Sequence, residues 1–306
     1  MTLTSQRLLE ASAFPTTGSS VDLAVSGGPD SVGLLLLAMD AGLAVSVHHV
    51  DHHARATSGS DAQFVRGLCA RLEVPCVIHD VTVEPGGNFE ARARALRRGA
   101  LPEGALTGHT MDDLAETVLL NMVRGAGVDG LTPMVNDPTK PLIGVRRAHL
   151  HDYVAAAGVG AVHDETNEDD AFQRNRVRHH LIPMLNDLAH RDVVPILARQ
   201  AYVLFEDRAW LEELMADDLA VGLGEPDCRE LREWPRARLR RWLRAKLATD
   251  DELGERHPPS WAEVTRALEV VDGVTTATEL SGGRRLARSL QHLSLEDGST
   301  TLIQHG

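Results

Sequence analysis

The sequence predicts an α/β protein: a parallel sheet covered by helices, followed by a smaller, mainly helical part. Three observations carry this. Short apolar runs alternate with amphipathic segments between residues 20 and 124, the pattern of βαβ units. Proline and glycine (Pro75, Pro85-Gly86-Gly87, Pro102, Gly104) sit at the junctions, where strand and helix trade places. Beyond Asp192 the periodicity turns helical. At 306 residues the chain is long enough for two domains, each with its own core, and the boundary is set at residue 195.

In order, strands are expected at Val21–Val25, Leu43–Val50, Cys76–Val83 and Ala105–Gly108. Helices are expected between and after them at Ser31–Ala41, Ser60–Leu72, Asn88–Arg98 and Met111–Arg124. Pro133, Pro138 and Pro141 then mark loops, and helices restart near Arg147 and Phe172. The second part reads as helices at Ile196–Leu214, Arg236–Leu247 and Trp261–Val271, closed by a small hairpin around Ser281-Gly282-Gly283.

Hydrophobic residues make up 43% and charged residues 25%, which excludes fibrous and disordered classes. The longest apolar run, Val32–Met39, is far short of the ~20 residues that a membrane crossing needs. No secretory pattern is visible in Met1–Phe14, so a cytoplasmic location is expected. Cys69, Cys76 and Cys228 show no Cys-x-x-Cys spacing and read as reduced thiols. The net charge of −13 argues mildly against nucleic acid, yet only Lys140 and Lys246 among the 31 bases are lysine. Eight bases fall between Arg229 and Lys246, against Glu230 and Glu233. Such a stripe suits an RNA backbone, or equally a self-paired helix face.

The strongest local signal is Ser26-Gly27-Gly28-Pro29-Asp30-Ser31, between an apolar strand and an apolar helix. Adjacent glycines let the backbone turn sharply and bring several N–H groups and a helix amino terminus to one point, which makes an anion site. Asp30 can cap the helix or hold Mg²⁺ against phosphate oxygens. The loop lacks both the Walker A ending and the Gly-x-Gly-x-x-Gly spacing.

Four more segments bear on chemistry. His49 lies in His49-Val50-Asp51-His52-His53-Ala54-Arg55, at the carboxyl end of a strand. Neighbouring strand residues point to opposite faces, so His48, His49, His52 and His53 do not read as a zinc site. In the second segment Glu90, Arg94, Arg97 and Arg98 share one helix face, a ridge suited to polyphosphate or RNA, or to self-pairing. In the third, Gly108-His109-Thr110-Met111-Asp112-Asp113-Leu114-Ala115-Glu116-Thr117, the carboxylates of Asp113 and Glu116 share the start of a helix. They can grip an ammonium or a metal ion, or complement the helix dipole. The fourth runs from His163 to Asp169 and on to Arg174, Asn175 and Arg178; it suggests a phosphate or nucleobase clamp, or a polar loop capping the next helix.

The Ser-Gly-Gly-x-Asp-Ser loop resembles that of the PP-loop ATP pyrophosphatases, which cleave ATP between its α and β phosphates and adenylate an oxygen. With the other segments, the stretch from roughly residue 20 to 185 is similar to the tRNA(Ile)-lysidine synthetase family. That family's pattern runs through His-Val-Asn-His-x-x-Arg, Glu-x-x-x-Arg-x-x-Arg-Tyr, Gly-His-x-x-Asp-Asp-x-x-Glu-Thr and Asp-x-Ser-Asn to Arg-Asn-x-x-Arg. The departures are Asp51 for Asn, Arg98 for Tyr and Thr166 for Ser.

The resemblance implies an adenine nucleotide α-hydrolase-like PP-loop catalytic domain over residues 1–195 and a tRNA-binding domain over 196–306, without the further carboxyl-terminal domain of longer members. It implies ATP and Mg²⁺ as cofactors, and as partners free L-lysine and an isoleucine tRNA with a CAU anticodon; a homodimer stays open. Ser26, Gly27, Gly28, Pro29, Asp30, Ser31, His49 and His109 would bind nucleotide, with Mg²⁺ near Asp30 through phosphates. Asp30, Arg94, Asp113 and Glu116 would be catalytic. Arg97, Asp113, Glu116, Arg174, Asn175 and Arg178 would bind substrate, the two acids orienting the lysine ammonium. The alternatives are a PP-loop tRNA sulfur transferase, which needs reactive cysteines, an amide synthetase and a nucleotide-sensing module.

Overall fold

The computed structural model describes residues 5–51, 58–81, 96, 99–162, 169–250 and 256–296. The chain forms two compact units, Met1–Arg208 and Ala209–Gly306. The division falls at Arg208, inside the helix Val194–Leu214 and beyond the boundary expected at residue 195.

The first unit carries β1 (Ser20–Ala24), β2 (Ala44–Asp51), β3 (Cys76–Asp80) and β4 (Leu106–Thr107), paired in the order β3-β2-β1-β4. All pairs are parallel, with Ala24 opposite His48 on one side and Thr107 on the other. The chain steps outward from β1 to β3 and returns to the far side of β1. The strand order therefore reverses between β1 and β4, and the crevice beyond their carboxyl ends is where open α/β sheets bind ligands.

Its helices are α1 (Ser5–Glu10), α2 (Pro29–Asp40), α3 (Ser58–Arg71), α4 (Met111–Val123), α5 (Val128–Leu131) and α6 (Arg147–Ala156). They continue with α7 (Gln173–Arg176), a π turn over Val177–Leu181, α8 (Ile182–Ala189) and α9 (Val194–Leu214). Helix α2 starts at Pro29, two positions before the expected Ser31, because proline's fixed φ fits a first helical turn. Its residues Ser31–Ala38 are all buried, since it packs against both the sheet and α6. A Cβ on Gly33 would lie 2.6 Å from the Leu150 side chain, so only glycine permits this approach of the two helices. A separate core joins Leu114, Ala115, Val118 and Leu119 of α4 to Val177, Ile182, Val194 and Leu197. That core fixes where the acids of α4 meet the arginines beyond Phe172.

The second unit packs α11 (Cys228–Glu233), α12 (Arg236–Lys246) and α13 (Trp261–Asp272) around Trp242, Leu239, Leu243 and Val271; α10 (Ala216–Ala220) precedes them. Two short strands, β5 (Thr249–Asp250) and β6 (Arg256–His257), pair antiparallel. The expected hairpin is there, β7 (Ala277–Glu279) and β8 (Arg285–Ser289) pairing antiparallel across Ser281–Gly283, and β9 (His292–Glu296) extends it to three antiparallel strands. The extra strand escaped the sequence because the β8–β9 link is Leu290-Gln291, both at positive φ, where glycine or asparagine is the usual signal. The Cys228 N–H pins that link by donating to the Gln291 carbonyl at 2.7 Å.

Candidate active site

The loop Ser26–Ser31 leaves β1 at the reversal of the sheet. Gly27 adopts φ +94°, a conformation that favours glycine. The Ser31 hydroxyl organises the bend, accepting from the Ser26 and Gly27 N–H groups at 3.2 Å each and donating to the Gly28 carbonyl at 2.9 Å. Gly28 caps α2 with no side-chain hydrogen bond, so no side chain competes for that helix amino terminus. From the other side of the reversal, Gly108 presses on the loop: a Cβ there would sit 2.7 Å from the Asp30 carbonyl oxygen. The Ser26 and Gly27 N–H groups are turned onto the Ser31 hydroxyl, so the uncapped start of α2 is the part of the bend that suits a phosphate.

Asp30 does not cap α2. Its carboxylate accepts from His151 Nε2 at 2.8 Å and from Arg147 Nε at 3.3 Å. Arg147 is the centre of the site. Its Nη2 donates to Asp113 Oδ1 and its Nη1 to Glu116 Oε1, both at 2.9 Å. One guanidinium thus touches three carboxylates from α2 and α4.

Glu116 is fully buried and is also gripped by Arg178, whose Nε and Nη2 reach Oε1 at 2.7 Å and Oε2 at 3.1 Å. Arg174 Nε lies 3.1 Å from Glu116 Oε2 but is not aligned for a hydrogen bond; its Nη2 donates to the Thr117 hydroxyl at 2.6 Å. Asp113 divides its two oxygens. Oδ2 accepts from the Thr110 N–H and hydroxyl, both at 2.8 Å, capping α4, while Oδ1 faces Arg147. Burial pushes the Asp113 carboxyl up, but Arg147, the Thr110 N–H and Arg174 outweigh it and hold the group below the usual carboxylate range. Burial likewise works against the charge of Arg147, and Asp113, Glu116 and Asp30 more than restore it.

The structure therefore brings together Ser26, Gly27, Gly28, Pro29, Asp30, Ser31, Asp113, Glu116, Arg174 and Arg178, and adds Arg147 and His151. The acids of α4 are held by arginine and do not stand free for an ammonium. Asn175 is buried and donates to the Asp169 carbonyl at 2.9 Å, which fixes the loop before α7. His49 is buried and donates from Nδ1 to the Val25 carbonyl at 2.8 Å, beside the loop. His109 meets the Thr107 hydroxyl at 2.8 Å, and burial pushes its imidazole below the usual range. Arg94, Arg97, Glu90, Arg98, His52, His53 and residues 163–168 lie outside the described residues.

His48 is held between His79 at 2.9 Å and Asp22 at 3.0 Å. No group of three or more His, Cys, Asp or Glu among the described residues could hold a metal ion. A magnesium at Asp30 would displace Arg147 or His151 and draw most of its ligands from phosphate and water, the usual habit of that ion. Cys69 is buried and its thiol is pushed up to about 12, chiefly by burial and then by neighbouring Cys76; Cys228 is buried too. In the second unit Arg229, Arg236 and Arg238 pair with Asp227, Asp272 and Asp218, so part of the stripe's charge is met locally. Arg238 and Arg240 stack over Trp234 and Trp261 at 3.9 and 4.3 Å.

Among the described residues, no helix is long and apolar enough to cross a membrane. Residues 1–185 match the family model described as a PP-loop domain. Curated relatives include the tRNA(Ile)-lysidine synthase of Solibacter usitatus, 37% identical over 226 residues, covering 68% of this chain and 51% of that protein. The synthase of Nocardia farcinica is 34% identical over 286 residues, covering 89% of this chain and 87% of its own. The chain thus spans about half the length of the first and most of the second. Among solved structures, a U34-tRNA thiolase from Methanococcus maripaludis shares the fold, with TM-score 0.53 at 16% identity over 66% of this chain and 78% of that one. A PP-loop domain over more than half of the chain, and a relative matched along nearly its whole length, make this chain a member of the tRNA(Ile)-lysidine synthase family.

Proposed function

We propose that the protein joins the ε-amino group of free L-lysine to the wobble cytidine of an isoleucine tRNA with a CAU anticodon, cleaving ATP to AMP and pyrophosphate. The observation that carries this reading is the Arg147 guanidinium, which ties the loop's Asp30 to Asp113 and Glu116 and so sets the phosphate site beside an acidic site for an amine. The names of the relatives supply tRNA(Ile) and lysidine; free lysine, the wobble cytidine and the CAU anticodon are what the sequence resemblance implies.

The base's carbonyl oxygen attacks the α-phosphorus and pyrophosphate departs; the lysine amine then attacks the ring carbon and AMP leaves with that oxygen. The uncapped start of α2, with Ser26, Gly27, Gly28 and Ser31 exchanging their hydrogen bonds within the loop for phosphate oxygens, opposes the charge that builds on the phosphates. Magnesium near Asp30 would add charge neutralisation there. Lysine arrives as an ammonium and attacks as an amine; Asp113, whose carboxyl stays ionised, orients it, and Asp113 or Glu116 accepts the proton. Arg174 and Arg178 close the site, and Arg94 and Arg97 are assigned to the phosphates or the activated base. His49 and His109 line the nucleotide side. Paired arginines of the second unit can exchange carboxylate for RNA phosphate, an exchange that exposed pairs make at small cost.

The sulfur-transfer alternative needs a reactive thiolate, and the buried thiols of Cys69 and Cys228 oppose it. Incubation with an isoleucine-tRNA transcript, ATP and radiolabelled lysine tests the proposal. Label should enter the RNA with release of AMP; AMP release that ignores lysine would overturn it.

A further inference from the structure

The acids of α4 pose a problem for the reading above. Three carboxylates, Asp30, Asp113 and Glu116, face three guanidiniums, Arg147, Arg174 and Arg178. The cluster is balanced as it stands, and an incoming ammonium would be a surplus cation in a largely buried place. Of the two acids, Asp113 has the simpler surroundings. Its Oδ2 is committed to Thr110, and its Oδ1 is met by Arg147 at 2.9 Å and, more remotely, by Arg178 at 3.9 Å. Arg147 therefore occupies the place that an ammonium would take.

The same guanidinium is tied to the phosphate side by its longest contact, the 3.3 Å bond from Nε to Asp30. A triphosphate on the Ser26–Ser31 loop is net anionic even when it carries one divalent cation. It brings like charge beside Asp30 and offers paired oxygens that match the fork of a guanidinium. If Arg147 turns to those oxygens, Asp113 Oδ1 keeps no cation within hydrogen-bonding distance among the described residues. A buried carboxylate left so demands a new counter-ion.

We propose that Arg147 is a positioning residue that keeps the Asp113 carboxylate closed to amines until a polyphosphate occupies the loop, so that nucleotide binding opens the lysine subsite. This deepens the lysine-ligation reading and rests on it. The coupling is reciprocal, so lysine tightens nucleotide binding by the same factor.

The test is calorimetric titration of L-lysine into the full chain, with and without saturating α,β-methylene-ATP, which resists cleavage between the α and β phosphates. The nucleotide should raise lysine affinity about 10-fold in the unaltered protein. Arg147→Lys keeps a cation beside Asp113 and should retain part of the coupling, whereas in Arg147→Gln the two affinities should agree within about 2-fold. They should agree because lysine binds better without nucleotide, a gain that mere structural damage would not produce. Equal lysine affinity with and without the analogue in the unaltered protein overturns the inference, and so does undiminished coupling in a folded variant. If both variants fail to fold, the titrations of the unaltered protein decide alone. If the analogue binds and lysine binds in neither state, the lysine-ligation reading falls as well. If labelled lysine enters RNA but no coupling appears, only the inference falls.

Discussion

In the first unit Arg147, Arg174 and Arg178 close around Glu116, a carboxylate with no exposed surface. In the second unit Arg229, Arg236 and Arg238 meet Asp227, Asp272 and Asp218 with guanidinium side chains 72%, 56% and 41% exposed. The residue types are the same and the surroundings are opposite. Removing one partner from a buried set strands charge in a low-dielectric interior, whereas water replaces a partner lost at the surface. The inner set therefore fixes geometry, and the outer set is free to trade partners.

Glu116→Ala should have the largest effect, because it takes from Arg178 its bonded carboxylate, removes a partner from Arg147 and Arg174, and leaves a cavity. A loss of roughly 3–5 kcal/mol in denaturant unfolding is expected, with Glu116→Gln milder. An unchanged midpoint would break the contrast between the units. Asp30→Ala touches a partly exposed carboxylate, so the fold should survive while AMP release falls by at least ~100-fold. A variant that unfolds instead would mean that Asp30 holds the structure rather than the chemistry.

The pH dependence sharpens the comparison further. Burial above all, with Lys140 and Arg174 adding to it, holds His109 below its ordinary 6.5. As pH falls through that value the unfolded chain takes up a proton that the folded chain refuses, so stability declines until the lower folded value is passed. Denaturant unfolding at about pH 7 and about pH 5.5 should show this slope, and His109→Gln should flatten it. The smallest effect belongs to the surface: Arg236→Ala should shift stability by less than about 1 kcal/mol. A larger shift would mean that the exposed pairs also carry the fold.

Much of this was legible in the residues. The glycines and serines of the loop are a local pattern, and the acids of α4 announce themselves by spacing on one helix, so both could be placed before any coordinates. Arg147 could not. It opens a helix whose apolar residues Leu150 and Val154 pack into the core, and nothing in its neighbourhood marks it as a ligand of residues 30, 113 and 116. Its role arises from three elements meeting at the reversal of the sheet, a long-range fact that periodicity does not encode. His151, one turn further along α6, was missed for the same reason. Spacing put Asp113 and Glu116 on one side of α4 and was silent on the arginines that meet them there. Asn175 shows the converse, since a polar residue inside a suggestive motif proves to anchor a loop.

The π turn Val177–Leu181 has a consequence for how this region tolerates change. It lies between Arg174, which belongs to the charged cluster, and Ile182, which belongs to the apolar core. A wide turn absorbs a residue that a regular helix would convert into rotation, about 100° for each position. Removing one residue from this stretch would restore ordinary pitch, leave α8 seated, displace Arg178 within the turn and swing Arg174 away from the acids. The chain could then still fold while losing its grip on Glu116, so insertions and deletions here, more than substitutions, separate folding from function.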